Sequence, residues 1–170
     1  MSMPKIIIDG YNVIYSVQEL AARASQDLAG ARSALVQRLA LYVSRRKVEV
    51  LVVFDGSKLP PPAVPEVSPP RVRVLFSRPP ATADSVIEHL LGTEARPRNL
   101  TLVTADRRLI RGAQGRGAKV LSPVHFIDQL ASRPPVHDIA ESKFTSQLSE
   151  EELREWLSLF GEHKQPRQRM

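Results

Sequence analysis

Three acidic residues each close an apolar run. Ile6-Ile7-Ile8 leads into Asp9-Gly10-Tyr11-Asn12, Val50–Phe54 leads into Asp55, and Leu100–Thr104 leads through Ala105 into Asp106. If the runs are strands of one open parallel sheet, all their C-termini lie on one edge and the three carboxylates converge on one crevice. Like charges gathered there repel by about 3 kcal/mol per pair at ~5 Å in an effective dielectric of ~20. A divalent cation relieves that repulsion. Asp84 opens a helical segment, where a negative charge is favoured, and Glu88 shares its helix face. Asn12 adds a carbonyl for a metal or an amide for a phosphate. Hard oxygen donors without His or Cys nearby select Mg²⁺ or Mn²⁺ over Zn²⁺. The chemistry that follows is phosphodiester hydrolysis, with an activated water attacking in line.

Each residue has a plainer reading. A strand-end Asp is often a turn former or a helix cap, Asp84 suffices as a cap for its own helix, and Glu88 reads as a solvated helix residue. The combination points to the site. For phosphates the best-placed cations are Arg107 and Arg108, which directly follow Asp106. Tyr11 is a candidate to stack on a base, whereas Tyr15 is expected to pack against the sheet. The four histidines show no metal-ligand spacing. No Ser–His–Asp arrangement, Gly-rich phosphate loop or Asp-x-Asp pair is present.

Alternating strands and helices must position these groups. Ile6–Ile8 and Val50–Phe54 read as buried parallel strands. Between them Leu28, Ala31, Leu35, Leu39 and Tyr42 recur at helical spacing, with Arg32, Arg38 and Arg45 on other faces. Six prolines between residues 57 and 70 predict an extended loop near Asp55. Val72–Phe76 is a third strand and Asp84–Leu91 a helix. Leu100–Thr104, a short helix over Arg107–Gln114, a strand over Lys119–Leu121 and a helix opened by Pro123 follow. Ser149 and Glu152 form a capping-box pattern for a last helix, with Leu153, Trp156, Leu157 and Phe160 on its apolar face. The expected organisation is an α/β domain over 1–131, a connector and docked C-terminal helix over 132–161, and a basic tail over 162–170.

The 170 residues suit one well-packed domain, and the chain carries 24 Lys and Arg against 18 Asp and Glu, a net +6. The surplus sits in residues 1–137, which hold 19 basic and 11 acidic residues. A cationic body around an acidic crevice suits a phosphate-bearing polymer that meets a metal ion. Cysteine is absent, so thiolate metal sites and disulfides are excluded. No apolar run approaches membrane-spanning length and no secretory leader is seen, so a cytoplasmic location without membrane association is expected.

Several segments together resemble the NYN-domain proteins, in the YacP-like branch. They are Ile6-Ile7-Ile8-Asp9-Gly10-Tyr11-Asn12-Val13-Ile14, Val52-Val53-Phe54-Asp55-Gly56, Ala81–Glu88, Val103–Arg108 and the Leu148–Gly161 segment. The resemblance implies a PIN-like fold and a Mg²⁺- or Mn²⁺-dependent endoribonuclease cutting single-stranded RNA. It maps the metal positions onto Asp9, Asp84 and Asp106, with Asn12 beside them and Asp55 on the neighbouring strand. It also implies an association with the ribosome and translation-linked mRNA decay. One departure matters. Several relatives carry an acidic pair where Ala83 precedes Asp84 here, so one ligand is either lost or supplied by Glu88. The rival expectations are a non-catalytic RNA- or ribosome-binding module that keeps the fold, and a DNA flap nuclease.

Overall fold

The computed structural model describes residues 3–58 and 68–132. Five strands, β1 (Lys5–Asp9), β2 (Glu49–Phe54), β3 (Val72–Phe76), β4 (Leu100–Val103) and β5 (Lys119–Leu121), form one sheet in the order β3-β2-β1-β4-β5. Every pairing is parallel, with Ile8 beside both Val52 and Val103. The chain winds outward from β1 through β2 to β3, then crosses back to β4 and β5. Connections to either side of β1 therefore diverge at the β1–β4 boundary, and a crevice opens outside the strand C-termini at that switch point.

Helices cover both faces, so the strands are apolar on both sides. Ile6, Ile8, Val52 and Phe54 face α1 (Gly10–Ser16), α2 (Gln18–Gln26), α3 (Leu28–Ser44) and α6 (Pro123–Ala131), packing with Val13, Ile14, Leu20, Leu35, Leu39 and Phe126. Ile7, Val53, Leu100 and Leu102 face the opposite way, onto Ile87 and Leu91 of α4 (Ala83–Thr93) and Leu109 and Ala113 of α5 (Arg107–Gly115). Ile6, Ile7 and Ile8 alternate between the two cores as the two-residue period of a strand requires.

Two expectations about the first crossover are corrected. One helix was expected between β1 and β2, and three are found. α1 begins at Gly10 without a linker, and extended residues at Val17 and Asp27 divide the remainder. Neither break carries Gly or Pro; Asp27 instead caps α3, its carboxylate accepting from the Gly30 backbone N–H at 2.9 Å. Arg32, expected on a polar face, is buried at 7 % exposure. Its Nη1 donates to the Tyr11 hydroxyl at 3.1 Å and its guanidinium lies 5.7 Å from the Phe76 ring centroid, so a cation there has polar and aromatic contacts. The proline-rich segment over 59–67 and the proposed connector, C-terminal helix and basic tail lie outside the described residues.

Candidate active site

Asp9 is the last residue of β1 and only 8 % exposed. It occupies the N-cap of α1, where the Asn12 backbone N–H lies near enough to favour its ionised form without completing a capping bond. Its carboxylate turns instead to the β4 exit, where the Thr104 hydroxyl donates to Oδ2 at 3.1 Å. The same hydroxyl oxygen accepts from the Asp106 backbone N–H at 3.1 Å. Thr104 thus ties the two aspartates that flank the switch point. Asn12 adds a second tie, its Oδ1 accepting from the Ala105 backbone N–H at 2.8 Å. Asn12 therefore holds the Thr104–Asp106 turn against α1, and its carbonyl oxygen is engaged in doing so.

Asp106 is the N-cap of α5. Its Oδ1 accepts from the backbone N–H groups of Arg108 (2.8 Å) and Leu109 (3.1 Å), leaving Oδ2 outside the cap. Capping therefore engages one oxygen of this carboxylate. For Asp84 the plainer reading fails. The cap of α4 is Thr82, whose hydroxyl accepts from Ser85 N–H at 3.2 Å while the Ser85 hydroxyl accepts from Thr82 N–H at 3.0 Å. With both bonds of the capping box made, Asp84 is not needed to start its helix.

These groups lie within electrostatic reach of one another. Burial pushes the Asp9 carboxyl up from 3.8 to about 6, and the charges of Asp84 and Asp106 push the same way; the Thr104 hydrogen bond opposes them. Asp84 is also raised, by burial first and then by Asp106, Glu88 and Asp55, while Arg108 lowers it. Asp55 turns one oxygen back to the Ser57 N–H at 2.9 Å. Glu88 pairs with Arg108, Nε to Oε1 at 3.0 Å. Five acidic side chains from β1, the end of β2, α4 and the start of α5 thus share one mouth.

The donor set is all oxygen and anionic, which suits a hard divalent ion. Among the described residues, no group of three or more His, Asp or Glu side chains encloses a ready-made metal position. Mg²⁺ is commonly held by one or two carboxylates plus waters, so a crevice of separated carboxylates still fits it. A cavity of about 560 Å³ lies at the opposite end of the strands, lined by Lys5, Val50, Arg73, Glu94 and Leu100 among others, and includes none of these five acids.

Two expectations at the site are corrected. Tyr11, expected to stack on a base, is 6 % exposed, with its ring centroid 4.9 Å from that of Phe54 and its hydroxyl on Arg32. Its faces are occupied by the core. Tyr15, expected to pack inward, is 51 % exposed at the last turn of α1, 6.3 Å from Tyr11. The residue that sequence reasoning missed is Thr104. A hydroxyl two residues before an Asp that starts a helix is a turn signal, and it was available in the sequence.

The model of the YacP-like NYN domain matches residues 6–161. The chain belongs to this family. NYN domains are PIN-like nucleases, so the family carries a nuclease-type function. A YacP protein of Bacillus subtilis (strain 168), described as uncharacterized, is 34% identical over 88 residues, which make up 52% of this chain and 51% of that protein. The chain thus spans about half the length of the curated relative it matches. The crystal structure of a tryptophan-to-leucine variant of Rae1 (YacP) from Bacillus subtilis is similar, with a TM-score of 0.66 and 26% identity, covering 89% of this chain and 91% of that one. The Rae1 (YacP) structure without that change gives a TM-score of 0.65 at 23% identity, over 95% and 90% of the two chains, and shows the shared fold. Among the described residues, no helix is long and apolar enough to cross a membrane.

Proposed function

We propose that this YacP-like NYN domain is a divalent-metal-dependent endoribonuclease that hydrolyses single-stranded RNA. The observation that carries the reading is that Asp9, at the end of β1, and Asp84, on α4, are both held above the usual carboxylate range, by burial first and then by neighbouring carboxylates, with Asp106 acting on both. Asp9, Asp84 and Asp106 would hold Mg²⁺ or Mn²⁺, with Asp55 and Glu88 adjoining. When bound, such an ion supplies an activated water and neutralises charge on the phosphate being cut. The chain's own residues do the rest. Thr104 and Asn12 fix the β4 exit so that Asp9 and Asp106 keep their separation. Arg107 and Arg108 bring positive charge to the rim, where the scissile phosphate would lie. A cytoplasmic, ribosome-associated role in mRNA decay belongs to the same reading.

A second reading is a non-catalytic RNA-binding module. It is favoured by Ala83 before Asp84 and by Arg108, whose guanidinium already neutralises Glu88. The test is a paired assay on end-labelled single-stranded RNA, single-stranded DNA and a DNA flap, with Mn²⁺ and with chelator. The nuclease reading expects internal cuts in the RNA that need the ion and vanish in Asp9→Asn. Salt-sensitive RNA binding with no product on any substrate would establish the module instead. Cutting confined to the flap would establish a DNA nuclease.

A further inference from the structure

The geometry points to α5 as the track on which the RNA strand leaves the crevice, with Arg107 and Arg111 each taking one backbone phosphate. This rests on the nuclease reading above and adds the path and the residues. α5 starts one residue after Asp106, so its first turn borders the carboxylates. Its buried side chains are Leu109 and Ala113, while Arg107, Arg108 and Arg111 are exposed. Arg107 and Arg111 are four residues apart, on one side of the helix and about 6 Å along its axis. That interval resembles the step between successive phosphates of an extended single strand.

One neighbouring cation is already engaged. Arg108 pairs with Glu88. Arg107 and Arg111 make no ion pair among the described residues. α5 also carries no acidic residue along Arg107–Gly115 that would neutralise them, as a merely solvated helix face commonly has. Arg107 and Arg108 stand in the first turn, where the helix dipole disfavours cations. A polyanion passing over this face supplies the missing counter-charge.

The basic cluster after α3 is different. Arg45, Arg46 and Lys47 follow the C-terminal end of α3, where the dipole favours cations, and Arg46 covers the Tyr42 ring at 4.8 Å. They precede β2, at the sheet edge opposite the carboxylates. This cluster serves as the control for net charge.

The test measures binding of a labelled single-stranded RNA of about 12 nucleotides to the full chain carrying Asp9→Asn, in chelator, across a salt series; each lost phosphate contact should reduce the log–log slope by about 0.7. The pair Arg107→Gln and Arg111→Gln is expected to lower the slope by about 1.4 and the affinity at ~0.1 M salt by roughly an order of magnitude. The pair Arg45→Gln and Lys47→Gln is expected to leave the slope unchanged. An unaltered slope in the α5 pair, or an equal loss in the control pair, overturns the track while leaving the nuclease reading in place. Absence of RNA binding by the parent overturns the track, and only with absence of Mn²⁺-dependent cleavage by the wild-type chain does it overturn both. Unchanged circular-dichroism melting curves verify that each variant is folded.

Discussion

Asp9 is held in the native state at a cost that it would not bear in the unfolded chain. An unfolded aspartate loses its proton near 3.8, whereas the folded one holds it to about 6. Between those values the native state binds more protons, so stability falls as pH rises through the window, and the penalty is complete above it. The shift corresponds to about 3 kcal/mol, an order-of-magnitude figure for a nearly buried group. Asp9→Asn is therefore expected to melt several degrees higher than wild type at pH 7.5 and to show a reduced difference at pH 4, while losing cleavage. Thermal melts at the two pH values check this; a lower melting point at pH 7.5 contradicts it. Thr104 acts on the same carboxylate in the opposite direction. Thr104→Val removes a hydrogen bond that stabilises ionised Asp9, so the acidic limb of the pH–rate profile should move upward and stability should drop by about 1 kcal/mol. Thr104→Ser should restore the profile. At this scale the sequence revealed the acids well and their partners poorly. Asp9 and Asp106 were legible because each ends an apolar run. Tyr11 and Tyr15 were not separable, because residues four apart share a helix face and periodicity does not tell which end of that face lies under the core.

The elements position the site through close approaches that composition does not display. α1 begins at the residue after Asp9 because Gly10 lets the Phe54 ring pack against its backbone; a Cβ there would run into the ring carbons. Gly10→Ala is expected to destabilise by about 1–3 kcal/mol through overpacking, measured by denaturant unfolding, without removing any carboxylate. Wild-type stability in this variant would show that Phe54 repacks freely. α4 was legible as a helix from Val86, Ile87, Leu90 and Leu91, and its cap was not. Thr82 and Ser85 form the box with a Ser where the usual pattern has Glu or Gln, so the signal was weak. That cap is nevertheless what releases Asp84 from a structural role. The division of the first crossover was hidden for the related reason that Val17 and Asp27 end helices without Gly or Pro.

For the whole molecule, the alternation of strands and helices sufficed to anticipate a parallel α/β sheet, and all five strands fall where the apolar runs placed them. Strand order is a different matter. Nothing local records that the β3–α4–β4 crossover returns past β1, since that depends on where α4 lands, over β1 and β2. The order β3-β2-β1-β4-β5 sets the switch point between β1 and β4, and so puts Asp9 and Asp106 on its two sides. An ion that binds only this arrangement must stabilise it. At a hundred times its dissociation constant Mn²⁺ is expected to add about 2.7 kcal/mol and to raise the melting temperature by several degrees. The gain should shrink below about pH 6, where protons compete for Asp9.

Direct titration with Mn²⁺, followed by the loss of its free electron-spin resonance signal, decides whether the carboxylates act together. Wild type is expected to bind the ion saturably at pH 7.5, and Asp9→Asn, Asp84→Asn and Asp106→Asn should each weaken binding at least tenfold, the equivalent of about 1.4 kcal/mol. Asn remains a good helix cap, so the Asp106 variant keeps α5 in place. Binding that is absent in wild type, or that survives all three substitutions unchanged, would contradict a shared metal site at the mouth of the sheet.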